Sequence, residues 1–251
     1  MKVIAVVSAK GGVGKTSTCA HLASELAQVG ERVLAIDLDP QNALRLSLGM
    51  PYGEVHGHSR AALEKLSWRQ SIYQGRSNVG VLPFGELGDA DRIQFEMLLS
   101  EQPDYLRSRL TSLDLGENDI VLIDTPPGPS PYVRQALSCA NACIVVTLTD
   151  IASYAAMPMM EKLIRGYCHE RRKFIGAFVL ANQVDVGRPL GRDVLRLLRS
   201  QYGERLLGVI HRDEAVAEAL AFAQSLAEYS PYSQVADDLR QCATALLHKL
   251  K

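Results

Sequence analysis

The stretch that most limits what this chain can become is SAKGGVGKTST, Ser8 to Thr18, between the β-branched run Val3 to Val7 and an apolar stripe at Ala20, Leu22, Ala23 and Leu26. Strand, glycine-rich turn and helix in that order bring backbone amides and the positive end of a helix to one point, which makes a phosphate cradle. The glycines let the amides turn inward. Lys15 is placed to contact the β and γ phosphates of a nucleotide, and the Thr16 hydroxyl to ligate Mg2+. The expected nucleotide-binding set is therefore Ala9, Lys10, Gly11, Gly12, Val13, Gly14, Lys15, Thr16 and Ser17, with Ala9 standing where the pattern has its first glycine. A second lysine, Lys10, lies across the glycine run from Lys15, and one phosphate grip needs only one of them.

The rest of the 251 residues alternates in the same rhythm. Short β-branched runs at 3–8, 33–37, 79–83, 119–124, 142–149, 174–181 and 206–210 are separated by segments that accept a helical apolar stripe. Runs without alternation, such as Ile120 to Ile123 and Cys143 to Val146, suit strands buried on both faces. The predicted fold class is α/β, a single doubly wound, mostly parallel sheet flanked by helices, and residues 1–251 read as one domain. Residues 49–78, with GMPYGEVHGHS and QGRSN, are expected to form loops and short helices.

Two acidic sites lie where the phosphate cradle needs them. Strand 33–37 ends in Asp37-Leu38-Asp39-Pro40-Gln41, and strand 119–124 ends in Asp124-Thr125-Pro126-Pro127-Gly128. In an open parallel sheet, ligands bind beyond the carboxyl ends of the strands, so both acids face the glycine loop. An aspartate after four apolar residues is a Walker B arrangement, which makes Asp124 an Mg2+ ligand, direct or through water. Pro126 to Gly128 then form a loop able to sense the γ-phosphate. Taken singly, either aspartate could instead cap the following helix.

Together KGGVGKT, DLDPQ and DTPPG resemble the deviant Walker A ATPases of the MinD/ParA family, and the likeness runs the length of the chain. Within it, DLDPQNALRLSLG, SWRQS, VLPFGEL and GVIHRDEAVAEALA are similar to the ATPases of bacterial cellulose-secretion operons. The resemblance implies ATP and Mg2+ as ligands, slow partner-regulated hydrolysis, and a homodimer sandwiching two ATP molecules. It implies that Lys10 reaches the partner's nucleotide, that Gly12 sits where the subunits approach, that Asp39 orients the attacking water and that Asp37 supports the metal. With Lys15, these give Lys10 and Asp39 as the catalytic set, and Thr16, Asp37 and Asp124 as the metal set. A lysine supplied across a dimer would stabilise the transition state much as an arginine finger does. Protein partners would be those of the cellulose synthase complex at the inner membrane.

Base recognition is less sharply written. Asn182-Gln183-Val184-Asp185 resembles the N-x-x-D of related GTPases with Gln183 in place of their lysine, and Asn182 is read as an adenine contact. Gly208 to Asp213 resembles the family's base-covering loop, with His211 where proline is usual; this histidine could stack on the base or cap a helix.

Composition leaves other partners open. The net charge is −1, yet residues 161–212 carry eleven Lys and Arg against five Asp and Glu. Arg192, Arg196 and Arg199 share a helical face, and Arg171, Arg172 and Lys173 precede a strand. These form a solvated face, a protein or acidic-lipid contact, or a DNA-gripping surface as in plasmid-partition relatives. No apolar stretch reaches the length of a membrane span and no leader pattern opens the chain. With five cysteines in no paired spacing, the expected setting is the cytoplasm, peripheral to the inner membrane through partners. VADDLRQCATALLHKLK reads as a packed helix rather than a membrane anchor, and the pair His56 and His58 lacks a third ligand.

Overall fold

The computed structural model describes residues 1–251 apart from 52, 54, 169–171 and 223. Arg171 of the basic segment lies outside the described residues. Eight strands form one sheet: β1 (Lys2–Val7), β2 (Val33–Asp37), β3 (Tyr73–Gln74), β4 (Gly80–Leu82), β5 (Ile120–Asp124), β6 (Ala142–Leu148), β7 (Gly176–Val184) and β8 (Leu206–His211). Their order is β3-β4-β2-β5-β1-β6-β7-β8. Every pairing is parallel except β3 with β4.

The helices cover both faces: α1 (Lys15–Gln28), α2 (Leu44–Ser47), α3 (His58–Leu63), α4 (Asp89–Glu101), α5 (Tyr105–Thr111), α6 (Pro131–Cys139), α7 (Ile151–Cys168), α8 (Pro189–Tyr202), α9 (Ala215–Ala221), α10 (Leu226–Tyr229) and α11 (Gln234–Leu250). The strand period of two divides the core. Along β1, Val3, Ala5 and Val7 join the cluster made with α4 to α8, whereas Ile4 and Val6 join the cluster made with α1 and α11. That two-sided burial is why these strands read as unbroken apolar runs. On α11, Val235, Leu239, Cys242, Leu246 and Leu250 are all buried, as expected of a packed helix.

Two departures from the sequence reading matter. Residues 73–74, within the segment expected to hold loops and short helices, form the antiparallel edge strand β3, too short to show any period. Strand β7 runs to Val184 rather than stopping at 181, so Asn182 stands inside it. An irregularity in the β7–β8 ladder permits this: Gln183 takes φ 52°, and the pairing register shifts between Ala181 and Val184. Asn182 is buried there, while Gln183 is exposed.

Candidate functional site

The carboxyl ends of β1, β2 and β5 meet, and the glycine loop closes over them. Asp37 of β2 and Asp124 of β5 are register partners. Gly12 and Gly14 adopt φ 75° and 78°, the left-handed region that favours glycine, and α1 starts at the very next residue, Lys15. A Cβ on Gly14 would lie 2.4 Å from Asn182 Nδ2, and that same nitrogen donates to the Val13 carbonyl at 2.8 Å. Asn182 thus props the loop from behind. On the other side the Gly128 amide donates to the Ser8 carbonyl at 2.9 Å, which ties the Pro126–Gly128 loop to the cradle.

The polar centre is buried and crowded. Lys15 Nζ lies 2.8 Å from Asp124 Oδ1, and Thr16 Oγ1 donates to Asp124 Oδ2 at 2.6 Å. Asp124 and Asp37 are fully buried, and Lys15 nearly so. Burial pushes the Asp124 carboxyl above its ordinary range against the pull of Lys15, while burial and the Asp124 charge together push Asp37 up. Two carboxyl groups are buried as register partners and the one ammonium sits on Asp124, so ionising both would leave a negative charge uncompensated in a low-dielectric place. A cation would relieve it.

Asp37 and Asp39 shape the following loop. Asp37 accepts from the Asp39 amide at 2.9 Å through Oδ1 and from the Leu44 amide at 3.0 Å through Oδ2. Asp39 Oδ1 accepts from the Gln41 amide, and its side chain is half-buried at the edge of the site. Lys10 is exposed and its ammonium lies 4.0 Å from Asp150 Oδ1, while its carbonyl accepts from Ser8 Oγ. Ala9 is half-buried and packs against the core cluster beneath the loop.

Beside the cradle lies a cavity of about 390 Å³ between α1 and the β8–α9 connection, walled by Gly14, Ser17, His21, Asn182, His211 and Leu239 among others. Its size is that of a small-ligand pocket. No motif singles out His21; its one signal in the sequence is a polar residue one turn beyond Ser17 on the first helix. Burial pushes it from the ordinary 6.5 down to about 4. His211 does not cap a helix: its Nδ1 lies 2.8 Å from Asp238 Oδ2, and Asp213 takes the Ala215 amide at the start of α9. Of the H-x-H pair, His56 pairs with Glu64, whereas His58 is buried in an aromatic cluster with its Nε2 on the Asp37 carbonyl. All five cysteines are buried.

The family model described as "Cellulose biosynthesis protein BcsQ" matches residues 1–247. The chain belongs to the BcsQ family. The cellulose biosynthesis protein BcsQ of Salmonella typhimurium is 32% identical over 254 residues, covering 99% of this chain and 95% of that one. The chromosome-partitioning ATPase Soj of Thermus thermophilus is 30% identical, covering 99% and 96%. Among solved structures, cobyrinic acid a,c-diamide synthase from Mycobacterium smegmatis, with bound ATP analog and magnesium, superposes with TM-score 0.78 at 25% identity, covering 99% and 95%. Both the BcsQ likeness and the wider MinD/ParA likeness read from DLDPQNALRLSLG and KGGVGKT are met.

Proposed function

We propose that this BcsQ-family chain is a Mg2+-dependent ATPase whose ATP-bound form is a dimer, and that the dimer supports assembly or localisation of the cellulose synthesis and secretion machinery. The observation that carries this is the division of labour between two lysines. Lys15 is buried against Asp124 inside its own subunit, whereas Lys10 is exposed and paired only loosely with Asp150. A lysine so placed is available to a second nucleotide.

The donor set fits the ligands. Thr16 Oγ1 and Asp124 Oδ2 are adjacent hard oxygens beside excess buried negative charge, and Mg2+ commonly takes one or two such ligands with phosphate oxygens and water. Bound Mg2+ would neutralise charge developing on the transferred phosphoryl group. The loop amides and Lys15 would hold the phosphates, Asp39 would orient the attacking water, and Asp37 would fix the loop that carries Asp39. The whole chain would act as one such unit. No described helix is long and apolar enough to cross a membrane; the proposed setting is cytoplasmic, held at the inner membrane by partners.

Light scattering with ATP and Mg2+ tests the dimer: a twofold mass gain that is absent with ADP is expected, and a monomer under both conditions would refute it. Co-purification of inner-membrane synthase subunits tests the cellular role. A second reading rests on α8, where Arg192, Arg196 and Arg199 are exposed on one face, with Arg172 and Lys173 also exposed. These could grip DNA phosphates in the ATP state, and the relative Soj is described as a chromosome-partitioning ATPase. ATP-dependent retention on DNA-cellulose, lost with salt, would favour it.

A further inference from the structure

His211 ends β8 on the wall of the cavity beside Gly14 and is held from below by α11. Its backbone amide and its Nδ1 both meet Asp238 Oδ2 at 2.8 Å, and Asp238 Oδ1 accepts from Gln234 Nε2 at 2.9 Å. Asp238 is only 5% exposed. A carboxylate that accepts on every side has no proton to give, so the ring nitrogen facing it must be the one that carries hydrogen. In the neutral ring the other nitrogen, Nε2, is then a lone-pair acceptor, on a side chain that remains 35% exposed at the cavity. Asn182 stands on the same wall: the bond from its Nδ2 to the Val13 carbonyl fixes which end of the amide is oxygen, and Oδ1 is a second acceptor there.

At His211 and Asn182 the wall suits a base that presents an amino group and disfavours one that presents a carbonyl oxygen in its place. We infer that His211, fixed in its Nδ1–H form by Asp238, is a specificity-determining residue that accepts from the exocyclic amino group of adenine and so favours ATP over GTP. Asp238 is the positioning residue, acting through the ring. The inference rests on the ATP reading above and adds how the base is chosen.

Calorimetry with non-hydrolysable analogues of ATP, GTP and inosine triphosphate, each with Mg2+, tests it. Wild type should prefer the adenine analogue by about tenfold or more, since one hydrogen bond gained and one clash avoided amount to at least that ratio. His211→Phe keeps a ring without an acceptor and should bring the ratio to within about threefold, chiefly by weakening the adenine analogue. His211→Gln, which retains an acceptor, serves where the Phe variant fails to fold. Nitrogen NMR shifts of the His211 ring should report the Nδ1–H form in wild type, its loss in Asp238→Asn and its return in Asp238→Glu. A wild type that binds adenine and guanine analogues equally, or a ratio unchanged in His211→Phe, overturns the inference while the ATP reading stands. A wild type that binds no triphosphate overturns both.

Discussion

Lys10 Nζ stands 4.0 Å from Asp150 Oδ1, with the two side chains 43% and 42% exposed. So open an ion pair is screened by solvent and contributes little to stability, which lets function be tested apart from folding.

Lys10→Ala should leave the thermal midpoint and ATP affinity close to wild type while lowering turnover by roughly two to three orders of magnitude, as loss of a charge supplied across a dimer does. A steady-state phosphate-release assay measures it. Unchanged turnover would remove Lys10 from the reaction.

Lys15→Ala should abolish ATP binding by calorimetry, and it should also destabilise the fold by about 3 kcal/mol or more, because Asp124 is left buried without its cation. The double variant Lys15→Ala/Asp124→Asn separates the two effects. It should recover much of the stability in urea titration but none of the binding; micromolar ATP affinity in either variant would sink the phosphate-grip assignment.

Asp39→Ala should slow hydrolysis about a hundredfold or more and trap the ATP-bound dimer. The side chain is half-buried, and its one recorded hydrogen bond is to the nearby Gln41 amide, so the fold should survive. A monomer in ATP by light scattering would count against this role.

His58 should make the protein acid-sensitive. Burial pushes its imidazole from the ordinary 6.5 down to about 4, so the folded state keeps it neutral where the unfolded chain binds a proton. The sign follows: stability is lost as pH falls from about 6.5 towards 4, amounting to about 2 kcal/mol between pH 7 and 5 for this residue alone. Urea unfolding of wild type and His58→Gln across that range should show a shallower decline in the variant. Equal slopes would assign the acid sensitivity elsewhere, His21 being the next histidine to test.

The arrangement proposed to grip phosphate was legible because its signals are local. Strand, glycines and helix are contiguous around Lys15, and Asp124 follows an unbroken apolar run. Where contacts join distant segments, no period or spacing announces them. Nothing in the sequence around Gly14 tells that a methyl there would strike Asn182, 168 residues on. Asp238 looks like one more polar position on α11 until α11 packs beneath β8 and sets it under His211. The extension of β7 through Asn182 depends on a left-handed residue, Gln183, whose side chain does not favour that backbone; the neighbouring strand imposes it.

The central place of β1 has a consequence for how the chain is made. The strand is made long before either of its neighbours, β5 and β6, and Thr125 Oγ1 reaches the Val6 carbonyl across 119 residues of chain. Until β5 has been made, the glycine loop hangs from a strand whose native neighbours are both missing. Nascent molecules therefore pass through a long interval in which an apolar ribbon, Val3 to Val7, is open to wrong partners and to chaperones.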